Sequence, residues 1–245
     1  MLMMIDAHIH IDFYDKPTKI IREVMREDIS AIFVTHLPEL YEKQKVAIES
    51  LPQVFLAVGF HPILVSEYEF QKELFVNALK STRFVGEVGL DFSVARTEKS
   101  RNKQRRIFEQ ICASVDSHIL SVHSRQAEKE VLDILLKYRV RNAIFHWYTG
   151  SKELINYIVE SGYYFSLNPA MLRTSKGRGI LKSIPLNRIL IETDGPFSKF
   201  NGELVEPIYL QQIYKAFGDF YSVNDMESIV FENMLSLIGW GCRTK

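Results

Sequence analysis

The chain has 245 residues, 47% of them apolar, with 30 lysines and arginines balanced by 30 aspartates and glutamates. That length and apolar content allow one large core of the size an α/β barrel requires. A formal net charge of zero excludes a uniformly basic body, so any contact with a polyanion has to come from a local patch.

The first apolar run, Leu2–Asp6, predicts a strand, and "IDAHIH" carries His8 and His10 just past its end. Alternate positions on extended backbone share a face, so the two imidazoles can grip one cation, although two ordinary surface histidines would read the same way. Thr18–Asp28 places Ile20, Ile21, Val24 and Met25 on one helical stripe. Ala31–Thr35 and Val54–Gly59 read as strands, the latter ending in "GFHP" with His61. Phe84–Val88 is the fourth strand and carries Glu87. After it comes the run 96–106, RTEKSRNKQRR, in which Arg96, Lys99, Arg101, Lys103, Arg105 and Arg106 face one glutamate. Such a run reads either as a solvated helix face or as a nucleic-acid patch. Gln104–Val115 forms a helix on the stripe Ile107, Phe108, Ile111 and Cys112.

Ile119–His123 is the fifth strand, followed by Ser124 and Arg125, and Glu128–Lys137 is a helix. Ala143–His146 is the sixth strand and runs into Trp147, Tyr148, Thr149 and Gly150. Lys152–Glu160 is a helix stopped at Gly162, and Tyr163–Leu167 is the seventh strand. Arg173, Lys176 and Arg178 lie in "RTSKGRG", whose two glycines suggest a mobile loop able to contact phosphate. Arg188–Thr193 is the eighth strand, ending in "ETDGP" with Asp194, and the Gly218 region supplies a last helix stop.

Eight β-branched or aromatic runs, mostly not alternating, read as parallel strands covered on both faces. With helices between them they predict a (β/α)8 TIM barrel, a single domain over residues 1–245, with a doubly wound open sheet as the alternative. Cys112 and Cys242 form no CxxC pair and read as isolated reduced thiols. No basic leader, signal-length apolar run or membrane span is evident, which predicts a cytoplasmic protein without a membrane partner.

A barrel builds its active face from the C-terminal ends of its strands. Five of the seven histidines fall there; His36 is assigned to a loop, and His118 precedes a strand on the opposite face. His8, His10, His123 and His146 with Glu87 and Asp194 form a nitrogen and oxygen donor set suited to Zn2+, Mn2+ or Mg2+. Two such ions about 4 Å apart need a bridging carboxylate, and Glu87 is the candidate central in strand order. Phe92, Trp147 and Tyr148 are candidates for stacking an unpaired base, with packing the simpler role for each.

The motifs "DAHIH" (6–10), "GFHP" (59–62), "GEVGLD" (86–91), "HSR" (123–125), "HWYTG" (146–150) and "ETDGP" (192–196), with "EP" at 206–207 and Asn233, resemble the TatD family of metal-dependent deoxyribonucleases, in the amidohydrolase-like barrel superfamily. The resemblance covers essentially the whole chain. It implies two divalent metal ions, with His8, His10 and Asp194 on the first, His123 and His146 on the second, and Glu87 bridging. It implies that Asp194 also orients or deprotonates the attacking water. His61 and Arg125 are candidates for holding the scissile phosphate. Asp6 either fixes a ligand imidazole through its other nitrogen or is structural, and Asn233 is structural.

Two departures stand out: Trp147 and Tyr148 replace the usual small residue and Phe, and Gly195 stands where Ala or Ser is usual. The stretch from "HWYTGS" through "FSLNPAMLRTSKGRG" to "ETDGPFS" is most similar to the QatD branch of Qat-type anti-phage systems. The implied activity is phosphodiester hydrolysis, a 3′-5′ exonuclease on single-stranded DNA, with proteins of a defence cluster as further partners. Two alternatives stand beside it. One is a barrel hydrolase of a small amide, ester or phosphoester, against which the fourth strand counts, since it offers Glu87 and no lysine to be carboxylated. The other is a partner-dependent defence subunit acting on a modified substrate.

Overall fold

The computed structural model describes residues 4–48 and 50–239. Its barrel strands are β1 (Met4–Ile9), β2 (Ile29–Val34), β3 (Val54–Ala57), β4 (Phe84–Gly89), β5 (Ile119–His123), β6 (Asn142–His146), β7 (Tyr164–Leu167) and β8 (Ile189–Ile191). Nearly every residue in them is buried, because side chains on one face fill the barrel and those on the other meet helices. This is why the runs do not alternate in polarity.

Parallel ladders join β1 through β3 and β4 through β8. Irregular backbone joins the two groups. Val58 pairs in parallel with Val85, and Gly86 N donates to Val58 O at 2.9 Å. At the opposite seam His10 N donates to Gly195 O and Asp194 N to His8 O, each at 2.9 Å. The strands therefore follow one another in sequence and return to the first, as in a (β/α)8 barrel. A doubly wound sheet would reverse its strand order partway and keep two free edges.

Nine α-helices surround the strands among the described residues: α1 (Pro17–Arg26), α2 (Pro38–Ile48), α3 (Lys72–Leu79), α4 (Glu98–Ser114), α5 (Glu128–Lys137), α6 (Lys152–Glu160), α7 (Ser175–Leu181), α8 (Leu210–Tyr221) and α9 (Met226–Leu237). None is long and apolar enough to cross a membrane. Helices α5 and α6 have the expected bounds, and Gly162 follows α6 with a φ of 84°. Helix α1 buries Ile20 and Val24 but leaves Met25 at the surface, with Glu23 on the buried stripe instead.

Several boundaries depart from the sequence expectations. Strand β1 continues to Ile9, so His8 lies inside it rather than past its end; Leu2 and Met3, like Cys242, lie outside the described residues. Helix α4 starts six residues before Gln104, because Thr97 caps it and Ser100 reciprocates in a capping box. Gly218 is buried inside α8 and stops nothing; the helix ends at Ser222, which is left-handed at φ 56°. Strand β8 is shorter than expected, since Arg188 closes a 3-10 turn.

Helices α8 and α9 brace the seam. The Tyr214 hydroxyl donates to Ile5 O at 2.8 Å and accepts from Ile5 N at 3.0 Å, occupying the β1 backbone as a strand partner would. Asn233 donates to the carbonyls of Leu186 and Ile189 at 2.8 and 2.7 Å, a structural position beneath β8.

Candidate metal centre

Glu87 lies in β4 near its C-terminal end with both carboxylate oxygens buried at the barrel mouth. Its Oε2 is 3.3 Å from His10 Nε2 and 3.6 Å from His8 Nε2. Asp194 Oδ1 completes that group at 3.3 Å from His10 Nε2 and 3.8 Å from His8 Nε2. The two imidazole nitrogens are 3.0 Å apart. Ligands held about 2.1 Å from a tetrahedral ion are separated from one another by about 3.4 Å. The two imidazoles thus stand from each other and from each carboxylate at about the spacing of a coordination shell, and His8, His10 and Asp194 together could hold a metal ion.

Glu87 Oε1 faces a second group. His123 Nδ1 donates to it at 2.5 Å, while His61 Nε2 and His146 Nε2 lie at 3.2 and 3.3 Å. All six expected ligands, His8, His10, Glu87, His123, His146 and Asp194, therefore meet at one mouth. His61, expected to touch substrate, stands among them, and its Nδ1 accepts from Ile63 N at 3.1 Å.

The donor chemistry fits a divalent cation. Two unprotonated imidazole nitrogens at 3.0 Å repel, so a proton or a cation must lie between His8 and His10. Without an ion, protons do this work. Burial disfavours the His10 cation, yet Asp194 and Glu87 outweigh burial and hold its pKa up at about 9. Burial likewise opposes charge on His146, and Glu192 and Glu87 raise it well above the ordinary histidine range. Burial, with His146 stacked at 4.0 Å, pushes His8 down to about 3, and burial takes His61 down to about 4. Burial works against the Glu87 anion, but His61, His146 and His123 hold it well below the usual carboxylate range.

A surrounding layer fixes these rings. His8 Nδ1 meets Ser121 Oγ at 2.7 Å. His123 Nε2 donates to Asp91 Oδ2 at 2.9 Å, and the Asp91 carboxylate also accepts from Ser93. His146 Nδ1 donates to Glu192 at 3.2 Å, and Ser166 and Asn168 bind the same carboxylate. Ser121, Asp91 and Glu192 carried no role in the sequence analysis. The available signal was spacing: Ser121 precedes His123 by two residues in β5, and Glu192 precedes Asp194 by two.

Asp6 does not hold an imidazole. Its carboxylate accepts from Thr193 Oγ1 at 2.6 Å, Thr193 N at 2.9 Å and His8 N at 3.3 Å, so it ties the end of β8 to β1. Burial raises its pKa to about 7 against these hydrogen bonds. His36 is also more central than its loop assignment suggested. It is buried, stacks on His10 at 4.5 Å and lies 5.3 Å from His61, with Asp12 3.8 Å from its Nδ1.

The basic segments differ from expectation. Residues 173–179 are not a mobile loop: Thr174 caps α7, and Gly177 is needed because a Cβ there would overlap Met171 O. Arg178 donates to Leu172 O at 2.8 Å, while Arg173 and Lys176 are exposed. In the 96–106 run, Arg105 is committed to Glu98 and Glu130, and Arg101 lies over Phe92 and donates to Ala95 O. Arg125 is exposed immediately beyond β5. Of the stacking candidates, Phe92 is covered by Arg101 and Arg105, and Tyr148 is buried with its hydroxyl donating to Ser151 O at 2.7 Å. Trp147 is half-buried with φ at 37°.

The family profile for TatD related DNase matches residues 5–239. The chain is 26% identical to the uncharacterized metal-dependent hydrolase YabD of Bacillus subtilis, over 97% of this chain and 95% of that one. It is 24% identical to the human deoxyribonuclease TATDN3, over 79% of this chain and 78% of that one. Among solved structures, the TatD homologue YjjV from Escherichia coli superposes with a TM-score of 0.84 at 20% identity, over 96% of this chain and 97% of that one.

Proposed function

The chain belongs to the TatD related DNase family of metal-dependent hydrolases, and from that premise we propose that it cleaves phosphodiesters at a two-cation centre, as a 3′-5′ exonuclease on single-stranded DNA. The observation that carries this reading is the division of Glu87: Oε2 faces His8, His10 and the Asp194 side, Oε1 faces His123, His146 and His61. One carboxylate addressed to two donor groups suits a pair of divalent ions, Zn2+, Mn2+ or Mg2+. Bound there, such ions draw negative charge off the phosphoryl oxygens and make a water acidic enough to attack at neutral pH.

The chain's own residues supply the rest. Asp194 is held below the ordinary aspartate range by His10 against its burial, so it is an anion able to orient the attacking water and accept its proton. His61, whose Nδ1 accepts from Ile63 N and which therefore carries its proton on Nε2 beside Glu87, is placed to donate that proton's hydrogen bond to a phosphate oxygen. Exposed Arg125, Arg173 and Lys176 offer charge to the rest of the strand, with Arg178 partly committed to its own helix. The similarity of residues 146–198 to the QatD branch supports a place in a Qat-type defence cluster.

The test is digestion of 3′- and 5′-labelled single-stranded DNA with each of the three ions, beside Glu87→Ala. The expected result is stepwise loss of 3′ nucleotides that the substitution abolishes. Intact DNA with ions demonstrably bound would reject the reading in favour of a small ester or a modified substrate.

A further inference from the structure

Two large apolar rings stand exposed beside this buried polar centre. Phe13, in the turn after β1, is 49% exposed, and Phe197, just after β8, is 52% exposed. Single exposed apolar residues are ordinary. These two touch: their centroids are 5.0 Å apart with the planes tilted by 59°. Both also abut the ligand His10 nearly perpendicularly, Phe197 at 5.1 Å and Phe13 at 6.1 Å. Neither is placed by chance of a loose loop. Phe197 N donates to Asp194 O at 2.8 Å, and Phe13 N to His10 O at 3.3 Å, so each ring is anchored to a turn that also carries a ligand.

The two tilted rings form an exposed apolar corner. Aromatic pairs and heteroaromatic bases favour offset stacking and edge contact. The corner lies one imidazole away from the donor atoms, as a nucleobase lies one sugar away from its phosphate. Neither ring has a polar atom, so the corner cannot read base edges and would accept any base with a free face. A base within a duplex has both faces occupied already. We infer that Phe13 and Phe197 form a subsite for the unpaired nucleobase of the nucleotide whose phosphate lies at the metal centre. This inference rests on the phosphodiesterase reading above, because it is a phosphate there that brings a base within reach.

The experiment is calorimetric titration of the Mn2+-loaded protein with dAMP and, separately, with 2-deoxyribose 5-phosphate. Wild type should bind dAMP at least about 10-fold more tightly, the contribution expected of one stacked base. Phe13→Ala and Phe197→Ala should each remove much of that preference, with the loss confined to the ligand that carries a base. Phe197→Leu should behave like the alanine variant and Phe197→Trp should retain the preference, which separates stacking from mere apolar bulk. Circular dichroism verifies that each variant is folded. Equal affinity of wild type for the two ligands, no detectable dAMP binding, or equal losses for both ligands in the variants would each overturn the subsite.

Cleavage of a single-stranded oligonucleotide separates this inference from its premise. Ring-dependent dAMP binding without cleavage of any strand would fail the phosphodiesterase reading and leave a base-binding corner. Cleavage insensitive to both Phe→Ala changes would fail the corner and leave the phosphodiesterase.

Discussion

Asp91 reaches the centre only through His123, which it holds by the ring nitrogen opposite Glu87. Burial disfavours its anion, but the bonds from His123 and Ser93 keep its pKa at about 2, so it is charged throughout the working range. Asp91→Asn should therefore weaken metal affinity about 10- to 100-fold, as loss of such a partner does elsewhere, and competition with a fluorescent chelator measures it. Gly195 supports a second prediction. A Cβ at that position would overlap the Tyr14 hydroxyl, which donates to Val205 O at 2.5 Å. The alanine or serine usual in this motif would meet both that hydroxyl and Val205 O. Gly195→Ala should cost about 1–3 kcal/mol by overpacking. Combining it with Tyr14→Phe should recover part of that loss, because one of the two clashing oxygens is gone while Val205 O remains; a urea-denaturation cycle on the four proteins reads the coupling. The six donors that meet at the barrel mouth were legible in the sequence because each interrupts an apolar strand, at or near its end, with a polar donor side chain. Ser121, Asp91, Glu192 and Tyr14 were not, because each acts across to another strand or turn, and only the closed barrel brings those together.

At the scale of elements, the interior strands and the helices α5 and α6 were legible, since the apolar period is clear there and Ser151 caps α6. The apolar stripe marks only the later turns of helix α4, because its first turns are charged; its start is written in Thr97 and Ser100 instead. Thr97→Ala should lower stability by about 1 kcal/mol, visible as a shift in the denaturation midpoint without a change of slope. Glycine misled in both directions. Gly177 and Gly218 suggested looseness or termination, yet each lies where backbone from another segment leaves no room for a Cβ. Helix α4 also does more than cover the barrel. Gln104 donates to Pro62 O and accepts from Asp91 N, both at 2.9 Å, so it clamps the turn bearing His61 to the turn bearing Asp91.

The whole molecule should respond to bound metal through its buried charges. In the metal-free state His10 and His146 carry protons that neutralise Glu87 and Asp194. Ligand nitrogens must be bare, so metal uptake near neutral pH has to release protons. The folded pKa of His10 is raised to about 9, so affinity should climb as pH rises toward that value and fall as pH drops below neutrality. Calorimetry in two buffers of different ionisation enthalpy counts the protons. A chelator should lower the melting temperature of the loaded protein, since an ion bound only to the folded state at 100 times its Kd adds about 2.7 kcal/mol. The barrel itself was legible from eight runs in order. The backbone that closes it was not, because the seam is made of irregular segments around His10 and Gly195 rather than of a patterned strand pair.

That seam has a consequence for how the protein is made. Its bonds run from His8 and His10 to Asp194 and Gly195, and Tyr214 then locks β1 from outside. A ribosome must therefore finish nearly all of the chain before the first histidines can meet their last carboxylate. Because the donor set draws on the first strand and the turn after the last, a chain terminated before Asp194 lacks one of the two carboxylates that face His10.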